Sequence, residues 1–155
     1  MKAEESGTSS RELLVFSLEE RLFAIELEKV IQIIGYVQPA LPPRRPPYVE
    51  GIIEFRDHFI PLMSLRTWVG LEGTPPSSNS VILILALAGA TIGLLVDSVV
   101  RVLSQAVEAV TEPPPKLQGV RAEFLRGVFK LNGKPLLWIN DSSLVASPGK
   151  SAVDE

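Results

Sequence analysis

The stretch Gly51–Met63, GIIEFRDHFIPLM, is matched in pattern by Gly127–Ile139, GVFKLNGKPLLWI, 76 residues later. In both stretches a glycine opens a short apolar run, a polar turn follows, and a second apolar run ends the segment. Two short apolar runs on either side of a polar turn are typical of a β-hairpin. The two stretches therefore predict two copies of one hairpin in the same chain.

A second pair of segments extends this repeat. Leu27–Ile34 agrees with Val96–Leu103 in its apolar and acidic positions, at an offset of 69 residues. Matches that recur in the same order indicate a duplicated structural unit. We therefore expect one domain at residues 11–147, built from two similar β units with approximate halves at 11–78 and 79–147.

The length of the chain favours close packing of the two units. The 155 residues suit one ordinary domain, whereas half of that length supports only a marginal core. The predicted fold class is therefore all-β, a pair of small barrels that share apolar surface. A groove between two rigid units is a usual place for a binding site. The polar residues 1–10 and 148–155 are expected to be flexible tails.

Proline clusters at residues 39–47, 75–76 and 113–115 leave few places for a long helix. Between them, short runs rich in β-branched residues predict strands. In the first half, these strands are expected at residues 13–18, 22–27, 30–34, 51–55 and 59–63. Single helical turns are expected at residues 46–50 and 64–69.

The uncharged stretch from Ser77 to Val96 has two interpretations. Its apolar length is compatible with a transmembrane span. However, Ala88-Gly-Ala90 interrupts the run, and β-branched residues on both sides favour two buried strands joined by a tight turn. We expect the two strands and no direct membrane insertion, with the span as the alternative.

Composition excludes several classes of function. The chain has 15 Lys plus Arg and 18 Asp plus Glu, and without a long basic run it is not expected to bind nucleic acid. It contains no cysteine, which excludes disulfides, thiolate metal sites and cysteine nucleophiles. The single histidine, His58, cannot form a two-histidine metal centre. The composition therefore argues against a metal centre and against most enzymes.

One cluster, Glu54, Asp57 and His58, has the residue types of a hydrolase site. No nucleophile motif accompanies it, and adjacent side chains in a turn tend to diverge. A small hydrolase or a ligand-binding barrel that uses these residues is therefore an alternative to a non-catalytic protein.

The run Tyr48–Arg56, followed by Ile60-Pro-Leu62 and Leu65-Arg66, resembles the hallmark segment of the CheW family, the coupling proteins of bacterial chemosensory arrays. The resemblance covers Glu12 to Val145. It continues through Leu14–Leu18, Phe23–Ile25, Val30, Ile33–Gly35, Gly93–Val99 and Phe124–Val128, in the family's order. This resemblance implies two intertwined five-stranded barrels and a scaffold without cofactor.

The resemblance also implies two protein partners. These are the regulatory domain of a CheA-type histidine kinase and the helical hairpin of a methyl-accepting chemoreceptor, met in the cytoplasm at receptor arrays on the inner face of the membrane. The residues that match the family's receptor-binding groove are Val30, Ile33, Gly51, Arg56, Ile82 and Leu83. Kinase-binding residues are not assigned by any motif. A module that docks on the kinase without receptor contact is the alternative.

Some of these residues also have structural interpretations. Strand alternation sends about half of the apolar side chains inward, and Gly51 is expected to form a bulge or a close backbone approach before it contacts a partner.

Three residues depart from the family pattern: Glu54 replaces a common asparagine, Asp57 replaces a glycine and Ser64 replaces an aspartate. Asp57 is expected either in a relaxed turn or in left-handed geometry, which Asp tolerates well. With these departures, a surface-motility or second-messenger pathway is as compatible with the sequence as flagellar control.

Overall fold

The computed structural model describes residues 10–44, 46–71 and 76–144. The tails predicted at residues 1–10 and 148–155 lie outside these ranges, apart from the first residue of β1. Strands occupy Ser10–Leu18 (β1), Arg21–Glu26 (β2), Val30–Gly35 (β3), Val49–Phe55 (β4), His58–Ser64 (β5), Val81–Leu87 (β6), Ala90–Val96 (β7), Ser98–Ala106 (β8), Lys116–Leu117 (β9), Val120–Arg121 (β10), Leu125–Leu131 (β11) and Lys134–Ile139 (β12). Helix α1 spans Leu65–Trp68, residues 141–144 are helical, and 3-10 turns occupy Leu27–Lys29, Val107–Ala109 and Ala122–Phe124.

Ten of the strands form two five-stranded sheets with corresponding orders. The first sheet has the order β11-β12-β2-β1-β8, and the second has the order β4-β5-β7-β6-β3. Strand directions correspond as well, because β12 runs parallel to β2 and β5 runs parallel to β7, while the other neighbours are antiparallel. The predicted all-β fold is confirmed, and the corresponding orders follow the sequence repeat.

Each sheet takes strands from both halves of the chain. The hairpin β1–β2 lies in the first sheet, whereas β3, β4 and β5 continue into the second sheet. In the second half the assignment is reversed, with β6–β7 in the second sheet and β8, β11 and β12 in the first. The halves 11–78 and 79–147 are thus units of the repeat, and neither builds a sheet alone.

Single β-bridges connect the outer edges of each sheet. After β3, Ala40 pairs with Ile52 of β4, and after β8, Thr111 pairs with Val128 of β11. The sheets therefore curl like barrels. Within the described residues, no continuous ladder closes either barrel.

A glycine stands where each of these bridges forms. Gly51 and Gly127 each follow a shift in hairpin register. A Cβ atom on Gly51 would lie 2.4 Å from the carbonyl oxygen of Ala40, and one on Gly127 would lie 2.2 Å from Cγ2 of Val110. Both hairpins open with glycine because the bridging segment passes too close for a side chain. Gly51 therefore has the expected structural role, as both a bulge and a close approach.

Strand alternation distributes the core over three clusters, one within each sheet and one that joins both sheets. In β6, Ile82 and Ile84 contribute to the inner cluster of the second sheet, whereas Leu83 and Leu85 contribute to the shared cluster. β1 alternates in the same way between the inner cluster of the first sheet and the shared cluster. Because β6 is buried on both faces, Val81–Leu87 is apolar without a break.

The stretch from Ser77 to Val96 contains two strands, as expected. β6 and β7 pair antiparallel, and Ala88 and Gly89 form the turn with φ values of 46° and 83°. Among the described residues, no helix has the length and apolar character needed to cross a membrane.

One of the two predicted helical turns is confirmed. The turn predicted at residues 64–69 is present as α1, and Ser64 caps it by accepting a hydrogen bond from a backbone N–H. Serine replaces the family's aspartate here without loss of the cap, because both residues are preferred at this position. At residues 46–50 the structure has one hydrogen-bonded turn, in which the N–H of Val49 donates to the oxygen of Pro46 at 3.0 Å. This turn does not continue as a helix, because Val49 already begins β4.

An ionic network links the two sheets where the chain passes between them. Buried Arg66 donates to the carboxylate of Glu19, in the β1–β2 turn, and to Asp97 after β7, with Nη2–Oδ1 at 3.2 Å. Arg21 also donates to Glu19, at 2.7 Å. Hydrogen bonds from Arg21 and Arg66 hold the pKa of the Glu19 carboxyl below its ordinary value of 4.5.

This lowered pKa predicts an acid-dependent loss of stability. The contribution of Glu19 is present above the unfolded pKa near 4.5 and is lost as the pH falls through the lower, folded pKa. Glu19→Gln should therefore reduce the decline in unfolding free energy between neutral and acidic pH, measured by urea denaturation. Glu20→Gln, in the same turn, should keep the wild-type dependence. An unchanged dependence in Glu19→Gln would contradict this assignment.

Candidate partner-binding surface

The outer strand β3 exposes apolar side chains. Ile31 and Ile33 are 39% and 43% exposed. Ile33 pairs with Leu83, which belongs to the shared cluster, so Ile33 lies on the face of the second sheet that turns toward the first. Val30 packs against the same cluster. Packed side chains of the shared cluster therefore fill the centre of the space predicted as an apolar groove. At its edge, on β3, apolar side chains are exposed. We call Ile31 and Ile33 the β3 surface.

The outer strand β8 has the same feature at the equivalent position of the repeat. Val100 and Val102 are 47% and 46% exposed, and the offset of 69 residues relates them to Ile31 and Ile33. Val102 pairs with Leu14 of the shared cluster, so it also lies on the face between the sheets. The sequence prediction omitted this β8 surface, although the repeat offset was a signal that could have found it.

Two residues predicted for the groove belong to the core. Ile82 and Leu83 have 0% exposure. They pair with Ile34 and Ile33 of β3, so they lie beside that strand within the sheet. Gly51 is also buried, beneath the bridging segment. The prediction that Ile82 and Leu83 line a surface is corrected, because a central strand between two cores has no solvent-facing side.

Arg56 lies in a turn with unusual backbone geometry. Arg56 and Asp57 have φ values of 51° and 65°, in the left-handed region that costs most residues about 1–2 kcal/mol. The equivalent turn of the second repeat is Asn132-Gly133, a sequence preferred for this geometry. Of the two conformations expected for Asp57, the left-handed one is found.

Arg56 also connects the two outer strands of the second sheet. Its Nη2 donates to Oε1 of Gln32 in β3 at 2.9 Å, and its Cζ lies 4.8 Å from the centroid of the Phe55 ring in β4. The side chain is nevertheless exposed. The structure therefore brings Arg56 next to the β3 surface.

The residues of the hydrolase alternative do not form a catalytic arrangement. Glu54, Asp57 and His58 are all exposed. In the described part of the chain, no side-chain hydrogen bond or ion pair joins any two of them. A general base needs a hydrogen bond that orients it, and none is present among these three residues.

Two curled sheets with exposed apolar outer strands define a small protein-interaction domain. The CheW-like domain family matches residues 12–148. The chain therefore belongs to the CheW family.

Similar proteins agree with this membership. The chemotaxis protein CheW of Treponema pallidum is 31% identical over 141 residues, which cover 88% of this chain and 82% of that protein. The chemotaxis protein CheW of Klebsiella aerogenes is 27% identical over 147 residues, with coverages of 95% and 89%. The crystal structure of the scaffolding protein TtCheW from Thermoanaerobacter tengcongensis superposes with a TM-score of 0.78 at 29% identity, over 85% of this chain and 90% of that chain.

Proposed function

We propose that this protein is a non-enzymatic adaptor of a bacterial chemosensory array, which couples a chemoreceptor to a CheA-type histidine kinase. Membership of the CheW family supports the adaptor role, since relatives are named chemotaxis proteins and one is named a scaffolding protein. The exposed β3 surface beside Arg56 is the observation that supports receptor contact. The proposed place of action is the cytoplasm, at arrays on the inner face of the membrane.

The β3 surface fits one face of a receptor helix. Ile31 and Ile33 are both partly exposed on the outer strand β3. An amphipathic helix presents apolar side chains along one face, and exposed apolar side chains of a partner can accept them. The exposed guanidinium of Arg56 is suited to pair with a carboxylate on that helix.

The shared core fits the task of transmitting a signal between two partners. Because one apolar cluster joins both sheets, partners bound at different places are held at a fixed separation. Coupling further requires that the adaptor bind one receptor state more tightly than the other. The signal is then a change in affinity, and no chemical step is needed.

We expect Ile33→Ser to weaken binding of a receptor hairpin fragment at least about tenfold, because it removes an anchor at the centre of the interface. Binding is measured by titration calorimetry with the purified protein. Val37→Ser is the matched control, since Val37 is 45% exposed and lies outside β3. It should change the affinity less than about twofold.

The results also separate the alternatives. Thermal unfolding of both variants should show a transition near that of the wild type, which checks that the fold is kept. Equal receptor affinity of wild type and Ile33→Ser would remove β3 from the interface. If the wild type binds the kinase but no receptor, the module that docks only on the kinase is correct, and if it binds neither, the adaptor function is wrong.

A further inference from the structure

A cluster of charged side chains joins the first sheet to the turn that precedes β3. Glu26, at the end of β2, and Asp141, after β12, are both buried. Arg126 of β11 lies between them, with its Nη1 at 3.1 Å from Oε1 of Glu26 and 3.6 Å from Oδ1 of Asp141. Arg11 also donates to Glu26, and Lys29 donates to Oδ2 of Asp141 at 3.1 Å. We call these five residues the Glu26–Asp141 cluster.

The repeat shows that the fold does not require the two buried carboxylates. At the offset of 69, Leu95 stands in place of Glu26, and at the offset of 76, Leu65 stands in place of Asp141. Both leucines are buried in apolar clusters. Burying a carboxylate costs desolvation free energy, and an apolar side chain of similar size is often at least as stable in its place. Stability alone therefore does not explain the cluster.

The turn beside the cluster determines where β3 begins. Leu27–Lys29 forms the 3-10 turn by which the chain passes from β2 in the first sheet to β3 in the second. Val30, the first residue of β3, donates its N–H to the oxygen of Leu27. Within the described residues β3 pairs only with β6, so no ladder holds its other edge. The ion pair of Lys29 with Asp141 therefore fixes the start of β3 relative to the first sheet.

The surroundings of Asp141 keep its carboxylate in place. Residues 141–144 form a helical turn, and Leu144 at its end is fully buried in the shared cluster. The guanidinium of Arg126 stacks on buried Trp138, with its Cζ 4.6 Å from the ring centroid. The carboxylate that Lys29 contacts is thus positioned by the core and not by a mobile surface side chain.

We propose that Lys29 and Asp141 are positioning residues of the β3 surface, which hold Ile31 and Ile33 in the arrangement that binds the receptor helix. This inference rests on the proposed adaptor function, because it concerns the same surface. Without the ion pair, the turn before β3 has more arrangements open to it. Receptor binding must then select the competent one, and the apparent affinity falls by the fraction of molecules that hold it.

The first test replaces Asp141 with the residue that the other repeat has at this position. Asp141→Leu should weaken binding of the receptor hairpin fragment about fivefold, as for residues that act on a site without touching its ligand. The midpoint of thermal unfolding should not fall, because a buried carboxylate is replaced by an apolar side chain. Amide hydrogen exchange at Val30 should be faster than in the wild type. A merely structural role would lower the affinity and the unfolding midpoint together.

The second test removes the other partner of the ion pair. Lys29→Gln, at a partly exposed site, should weaken receptor binding by a similar factor and keeps the inference testable if Asp141→Leu does not fold. The double variant should lose no more than either single variant, because each change removes the same ion pair. Glu123→Gln is the matched control. It removes the exposed ion pair with Arg121, at 2.9 Å, and should bind the receptor fragment like the wild type.

The outcomes distinguish this inference from the adaptor function. Weaker binding in both single variants, with no further loss in the double variant, supports the positioning role. Wild-type affinity in both single variants, or losses that multiply in the double variant, overturns it, while loss of binding in Ile33→Ser keeps the adaptor function. A wild type that binds no receptor overturns the adaptor function itself. Hydrogen exchange needs no partner, and wild-type protection of Val30 in both variants overturns the positioning role in that case as well.

Discussion

Cutting the chain between Ser78 and Asn79 is expected to give two fragments that are unfolded separately and fold when mixed. The first fragment contains β1–β5 and the second contains β6–β12. Each five-stranded sheet needs strands from both fragments, so neither fragment alone can complete a sheet or the shared core. Circular dichroism of each fragment should show no cooperative thermal transition, and the mixture should regain one.

Size-exclusion chromatography with light scattering should give a one-to-one complex for the mixture. The repeat makes one further product informative. In the first sheet β1–β2 holds the place that β6–β7 holds in the second sheet, between β3 on one side and β5 and β4 on the other. A fragment of residues 1–78 could therefore pair its own β1–β2 with β3–β5 of a second copy. A homodimer of this kind would be weak, so it should form only at concentrations well above those used for circular dichroism, and it would also agree with the exchanged topology. A stable monomer of either fragment would show that one half folds alone and that the topology is wrong.

The strands and the duplication could be predicted from the sequence because they leave local signals. Turn residues and β-branched runs mark hairpins, and the repeat of Gly51 at Gly127 marks two equivalent units. The sequence carries no such signal for the sheet in which each hairpin lies. The offset between the two repeats is the same whether each half folds on itself or exchanges strands with the other. The pairing is decided by long-range packing, such as the parallel contact of β2 with β12.

Among the residues predicted for the site, Ile33 and Arg56 are exposed. Ile33 is exposed because β3 is an outer strand with one neighbour. Ile82 and Leu83 were wrong as surface residues because β6 has a core on each face, so its alternation distinguishes two cores and not core from solvent.

Gly51→Ala is expected to lower the unfolding free energy by roughly 2–4 kcal/mol, the combined effect of backbone strain and overpacking. Gly51 has a φ of 153°, and an added Cβ would lie 2.4 Å from the carbonyl oxygen of Ala40. That oxygen accepts from the N–H of Ile52 at 2.8 Å, and the N–H of Ala40 donates to the oxygen of Ile52 at 2.9 Å. The methyl group must therefore displace the segment that connects β3 to β4.

Gly89→Ala separates this clash from the cost of left-handed backbone alone. Gly89 has a φ of 83°, and an added Cβ would meet nothing within 4 Å, so we expect a loss of only about 1 kcal/mol. Chemical denaturation compares the two variants. Amide hydrogen exchange should show faster exchange at Ala40 and Ile52 in Gly51→Ala only. Wild-type stability with slow exchange in Gly51→Ala would mean that the bridge leaves room for a side chain.

If the bridge opens as expected, Gly51→Ala should also bind the receptor fragment more weakly than the wild type. Gly51 itself has no side chain to contact a partner, but the displaced segment continues directly from β3.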